Sequence, residues 1–194
     1  MKRHINKDAI SYYMTYRYIP SDLTIFTEIR KLKPGHCILY DLKTKKPKIQ
    51  KYWDIPLGLK ERNEALVQQE IINLLKDSVE KRLISDVPLG VYLSGGIDSS
   101  SIVAMMKNFT DDIKTYSLAF AHDRTGNELK YAKSVSEYFN TRHTEITIDT
   151  EIIKDLPKII WHLDEPMCDP AAVPNYYLSR EAKKSVTVIL TGDG

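Results

Sequence analysis

Cysteine is nearly absent from this chain. The two present, Cys37 and Cys168, lie far apart, with no C-x-x-C pair and no histidine at ligand spacing. That argues against a zinc site or a disulfide framework and for a reducing compartment. Long apolar runs are missing as well. None approaches about 18 residues, and the N-terminus has no signal-peptide core, so no membrane is expected and the protein is expected to be cytoplasmic. Charge of one sign is also lacking. The 28 Lys and Arg residues nearly balance 26 Asp and Glu, and a net charge of +2 makes no electrostatic case for nucleic acid. The lysines at 43, 45, 46, 48 and 51 read as a solvated hairpin. Two familiar nucleotide signatures are missing too. Without G-x-x-x-x-G-K-[ST], no lysine reaches toward a transferred γ-phosphate. Without G-x-G-x-x-G there is no dinucleotide turn.

What is present centres on residues 87–106. Residues 89–93 are a short apolar, β-branched run that suits a buried parallel strand. Residues 97–106 read as a helix with Ile97, Ile102, Val103 and Met106 turned inward. Between them stands Ser94-Gly95-Gly96-Ile97-Asp98-Ser99-Ser100. A strand feeding a helix through paired glycines suits phosphate. The glycines admit close backbone approach, and the first helical N–H groups and the helix dipole face the anion. Hydroxyls of Ser94, Ser99 and Ser100 line the loop, with one carboxylate, Asp98. A bare carboxylate beside phosphates repels them, so a bridging cation is implied, most simply Mg²⁺ held by Asp98. Such a loop suits pyrophosphate as a leaving group, with attack at the α-phosphorus and an acyl-adenylate as product.

The periodicities around the loop set the fold class. Residues 8–19 suit a helix with an aromatic stripe at Tyr12, Tyr13 and Tyr16, assigned to core or interdomain packing. Period-two runs at 24–27, 37–40 and 48–53 suggest hairpin strands, and residues 57–62 a linker. Asn63 can cap a helix reaching Leu83, whose residues Leu66, Val67, Ile71, Leu74, Leu75, Val79 and Leu83 share one face, expected to lie over a sheet. Strands are expected at 113–120, 143–148 and 185–190, and helices at 127–139, 150–163 and 170–184. This alternation predicts an α/β fold with a doubly wound parallel sheet, preceded by a small β-hairpin segment. Ligands of such sheets bind at the carboxyl ends of strands, where Ser94, Phe120, His143 and Thr191 are expected to gather.

The residues 94–100 resemble the pyrophosphate loop of the N-type ATP pyrophosphatases. With the flanking residues 85–93 they are similar to the synthetase domain of the glutamine-hydrolysing asparagine synthetase family. Residues 29–36 and Tyr52-Trp53-Asp54 resemble the segment joining that family's glutaminase and synthetase domains. The resemblance implies an adenine nucleotide α-hydrolase-like (HUP-type) sheet. It divides the chain into a hairpin linker, residues 1–57, and the front of the synthetase domain, residues 58–194. It implies ATP and Mg²⁺, aspartate or a related carboxylate as substrate, and ammonia drawn from glutamine. A glutaminase domain or subunit, or a second copy of the chain, is the implied partner.

Carried over residue by residue, the resemblance assigns the adenine edge to the backbone of Tyr92, Leu93 and Phe120. It places Thr191 and Gly192 near the ribose and α-phosphate. Asp193 matches the acidic residue that assists adenylate formation and ammonia attack, where a carboxylate can take the proton ammonia loses. His143 matches one position of a His-His-Glu run, to contact phosphate or to serve structure. Asp164, Glu165 and Asp169 match an acidic loop that either lines the substrate pocket or caps the next helix and orders the loop. An aspartate at 169 stands where the family's arginine is expected, which leaves other acceptors open: a surface-polysaccharide sugar, a β-lactam or a cyclising peptide. No Cys at position 2 opens a glutaminase site. The family's catalytic lysine falls beyond Gly194, so the chain is expected to be a fragment, inactive alone or a nucleotide-binding module.

Overall fold

A computed structural model describes residues 2–58, 62–121, 127–148 and 154–193. The chain divides into two compact units, Met1–Glu61 with Pro157–Pro170, and Arg62–Leu156 with Ala171–Gly194. Part of the expected linker, residues 59–61, and the start of the helix expected at 150–163 lie outside the described residues.

The first unit opens with helix α1 (Lys7–Tyr16), capped by the Asn6 side chain, which accepts from the N–H groups of Asp8 and Ala9. Its aromatic stripe is not buried. Tyr12 and Tyr16 stack on each other at 6.2 Å between ring centres while exposed to solvent. Strands β1 (His36–Asp41) and β2 (Lys46–Lys51) form an antiparallel hairpin with Ile38 opposite Ile49. Residues 24–27 form no strand. They contribute a single bridge, Ile5 to Phe26, because the Thr24 hydroxyl donates to the carbonyls of Phe26 and Ile29 and curls the segment.

In the second unit α2 (Glu64–Arg82) begins at Asn63, whose side chain accepts from Ala65 and Leu66. Strand β3 (Leu89–Tyr92), α3 (Ile97–Met106), β4 (Lys114–Phe120), α4 (Asn127–Tyr138) and β5 (Arg142–Ile148) follow. Helix α5 (Leu156–Leu163) passes into the first unit from Pro157, and α6 (Ala172–Ala182) and β6 (Val188–Leu190) close the second. The four strands are all parallel, in the order β5-β4-β3-β6.

Helices cover both faces of this sheet. Val91, Leu93, Val103, Met106, Ile113, Val79 and Ala132 form the core under α2, α3 and α4. Tyr116, Leu178, Ala182 and Val186 form a second core under α6. Alternation explains the split, since Val91 and Leu93 face one side while Tyr92 faces the other. The sheet is doubly wound, and β3 and β6, where the order reverses, are neighbours.

Two expected faces differ. Only the last turns of α2 reach the core, through Leu75, Val79 and Leu83, while Leu66, Ile71 and Leu74 stay exposed. Periodicity identified the stripe, but the sheet covers only part of it. Ile97, expected to turn inward, is 82% exposed at the first position of α3.

Candidate functional site

The turn after β3 is braced from both sides. Leu93 is buried. Its N–H donates to the Tyr116 carbonyl at 2.9 Å, and its own carbonyl accepts from the Ser117 hydroxyl. Ser117 was not singled out from the sequence, although small polar residues at 115 and 117, on alternate positions of β4, were the available signal.

Beyond Leu93 the loop closes on itself. The Ser94 N–H donates to Ser99 Oγ at 3.2 Å, the two hydroxyls meet at 3.0 Å, and the Gly96 N–H donates to Ser94 Oγ at 3.3 Å. Ser99 in turn donates to the Gly96 carbonyl at 3.3 Å and is itself buried. Ser94 and Ser99 therefore shape the loop. Gly95 sits at φ +78°, a left-handed conformation open to glycine at little cost.

Helix α3 then starts without the device that starts α1 and α2. Gly96 is its N-cap, and among the described residues no side chain caps its first N–H groups. The positive end of the helix dipole is left for something else to satisfy. Ser100 Oγ is buried with no hydrogen-bond partner among the described residues. Asp98 is exposed in the first turn. Among the described residues no three His, Cys, Asp or Glu side chains group as a metal site.

The strand pairing brings residues 191–193 to this turn. β6 runs beside β3, with Leu190 opposite Val91. A Cβ added to Gly192 would lie 2.7 Å from the Ser99 nitrogen and 2.8 Å from the Asp98 carbonyl carbon. Gly192 is thus pressed onto the first turn of α3, and any side chain would push the two apart. Thr191 and Asp193 are exposed on either side of it, and Gly194 lies outside the described residues.

The other nominated residues divide. Phe120 is half-buried at the carboxyl end of β4, and Tyr92 is half-buried with its hydroxyl 2.6 Å from Ser179 Oγ on α6. His143 does not join them. It is the second residue of β5, opposite Thr115 near the start of β4, at the amino edge of the sheet. Its Nδ1 lies 2.8 Å from Thr115 Oγ1, and burial holds its pKa below the ordinary 6.5, with Lys133 adding to the shift and Glu145 opposing it. Glu165 pairs with Lys31 at 3.3 Å within the first unit, where Asp164 takes φ +60°, so it orders its own loop. Helix α6 has Ala171 as its N-cap residue, whose side chain makes no cap bond. A cavity of about 510 Å³ opens between β5 and α6, beside Ile146, Tyr177 and Arg180, and takes in none of the loop residues.

Among the described residues no helix is long and apolar enough to cross a membrane. The sequence profile of a family described as asparagine synthase matches residues 70–194, well over half of the chain. A Methanocaldococcus jannaschii protein provisionally named asparagine synthetase (glutamine-hydrolyzing) 2 is 36% identical over 194 residues, which cover 100% of this chain and 38% of that protein. Asparagine synthetase (glutamine-hydrolyzing) 1 of Bacillus subtilis is 34% identical over 195 residues, 98% of this chain and 30% of that protein. The chain thus spans about a third of the length of these relatives. Among solved structures, a glutamine-dependent NAD+ synthetase from Acinetobacter baumannii in complex with ADP is similar over 81% of this chain and 30% of that one, with 16% identity and a TM-score of 0.46.

Proposed function

Because the chain belongs to the asparagine synthase family, we propose that its second unit is the nucleotide-binding part of an ATP-dependent amide ligase. The observation that carries this is the uncapped start of α3 with Gly192 laid against it. The backbone at Gly192 meets the first turn of α3 there, and the helix dipole favours an anion.

The β- and γ-phosphates of ATP fit the N–H groups at the start of α3, with the Ser100 hydroxyl as a further donor. Ser94 and Ser99 hold the loop in shape. Asp98 would hold Mg²⁺ together with phosphate oxygens, which offsets the charge gathering on the leaving pyrophosphate. Main-chain groups of Tyr92, Leu93 and Phe120 read the adenine edge, and Thr191 and Gly192 face the ribose and α-phosphate.

The chemistry proposed on this frame has two steps. A carboxylate oxygen, in the first reading that of the aspartate side chain, bonds to the α-phosphorus as the bond to pyrophosphate breaks. Ammonia then attacks the acyl carbon, its proton passes to Asp193, and AMP leaves with the carboxyl oxygen to give asparagine. A glutaminase domain or subunit would supply the ammonia, and a second copy of the chain is the other partner to test. Isotope exchange between pyrophosphate and ATP that depends on aspartate separates this acceptor from a sugar, a β-lactam precursor or a peptide.

Titration calorimetry with Mg-ATP tests the binding step. The wild-type chain should release heat at a single site, and Asp98→Ala should abolish it while the far-ultraviolet circular dichroism stays unchanged. Equal heats from both proteins would overturn the assignment.

A further inference from the structure

The loop has a floor as well as walls. A Cβ added to Gly95 would lie 2.5 Å from the Ala132 nitrogen, 2.5 Å from the Tyr131 Cβ and 2.7 Å from the Tyr131 carbonyl carbon. Side-chain carbons do not come this near to backbone, so Gly95 rests directly on the second turn of α4. Its φ of +78° is the shape that lets the chain pass over that turn.

What fixes the height of α4 is the packing of the same residue. Ala132 is fully buried and belongs to the same core as Val91, Leu93, Val103 and Met106. An interior packed at native density accommodates a methyl group there, and extra methyl groups force backbone shifts. A larger residue at 132 would lift α4 from the sheet, and the first thing carried with it would be the turn under Gly95.

We propose that Ala132 is a positioning residue for the loop. Its small side chain sets the spacing between α4 and the sheet, so that the backbone of residues 131 and 132 holds Gly95 left-handed. That in turn aims the Gly96 N–H and the start of α3. The seat itself stands on packing alone, while its consequence for phosphate rests on the nucleotide reading above.

The test records amide resonances and Mg-ATP titrations on the ¹⁵N-labelled chain, for wild type, Ala132→Val, Ala132→Ser and Ser134→Ala. Ser134 is exposed on the same helix and serves as the control. Ala132→Val should displace the Gly95 and Gly96 resonances and weaken Mg-ATP by about tenfold or more, as misplacing binding groups by a fraction of an ångström does. Ala132→Ser, close to alanine in size, and Ser134→Ala should leave both readouts in place. Gly95 and Gly96 resonances unmoved in Ala132→Val would overturn the proposal. Should that variant fail to fold, Gly95→Ala pushes on the seat from above and must shift the Tyr131 and Ala132 amides. A silent α4 in Gly95→Ala would equally overturn it. A wild-type chain that takes no Mg-ATP, with the resonance shifts still present, would remove the nucleotide reading and leave the seat standing.

Discussion

The two ends of the parallel sheet carry the same kinds of polar side chain in different states. At the amino end His143 Nδ1 meets Thr115 at 2.8 Å, Thr115 meets Thr141 at 2.8 Å, and Thr141 donates to Ser136 at 3.0 Å. Thr115 and Ser136 are buried, and Thr141 links their hydroxyls. At the carboxyl end Ser94 and Ser99 also close on one another, but the satisfaction stops there. Ser100 Oγ has no partner among the described residues, and α3 has no side-chain cap. Buried polar groups are nearly always paired, and each end keeps one unpaired buried atom among the described residues, Ser100 Oγ and His143 Nε2. What sets the carboxyl end apart is the uncapped start of α3, whose N–H groups a ligand can complete.

The contrast is broken hardest by changing each end separately. Gly192→Val places a branched side chain where even a Cβ meets the Ser99 nitrogen at 2.7 Å. The first turn of α3 must then move. Mg-ATP affinity should fall by about a hundredfold or more, a loss near 2.7 kcal/mol, while the thermal midpoint shifts little because residue 192 lies beyond the core strands. A variant that melts far earlier yet binds normally would reverse the assignment of the two ends. Thr115→Val does the opposite. It removes the hydroxyl shared by His143 and Thr141, leaves His143 Nδ1 unpaired while Thr141 keeps Ser136, and should cost about 1–3 kcal/mol of stability. Mg-ATP heats should be unchanged, and urea melts with calorimetry on the same sample check both halves.

The carboxyl end was legible in the sequence and the amino end was not, for reasons that lie in the range of the interactions. Glycines at 95 and 96 between an apolar run and a helical period announce a strand, a turn and a helix within a dozen residues, and the structure keeps all three. The alternation of strands and helices likewise predicted the doubly wound sheet. His143 was expected at the carboxyl edge with Ser94, Phe120 and Thr191, yet it is the second residue of its strand. Its place follows from pairing with Thr115, a contact 28 residues away. Helix faces show the same limit. Periodicity grouped Leu66, Ile71 and Leu74 with Val79, but only packing decides which of them is covered. Gly192 was named through the resemblance alone and Ala132 not at all, since the contact each makes in place of a side chain shows only when its neighbours are known.

The amino end has one loose thread, the buried His143 Nε2, which has no hydrogen-bond partner among the described residues and lies 4.0 Å from Glu145. Burial lowers the His143 pKa below 6.5, so the folded protein holds the neutral ring while the unfolded chain takes up a proton first. The stability this contributes is complete above pH 6.5 and is lost as pH falls below that value toward the depressed one. Urea midpoints should therefore drop between pH 7.5 and pH 5.5 more steeply in wild type than in His143→Asn. Parallel curves for the two proteins would remove His143 from the pH dependence.

The smallest change converts the open end into a closed one. Gly96 has extended backbone, φ −71° and ψ 164°, which any residue adopts, and an added Cβ would approach only Ser94 Oγ, at 3.3 Å. Gly96→Ser therefore fits with a slight movement of a hydroxyl and supplies the cap that Asn6 and Asn63 give to α1 and α2. Stability should rise by a few tenths of a kcal/mol, the usual difference between serine and glycine at this position. The same hydroxyl now accepts from N–H groups proposed to face phosphate, so Mg-ATP should weaken by about two- to threefold, the equivalent of roughly 0.5 kcal/mol. Opposite signs in melting and binding are the signature of donors reserved for a ligand. A cap that stabilises the helix and leaves the nucleotide untouched would mean that those donors face water.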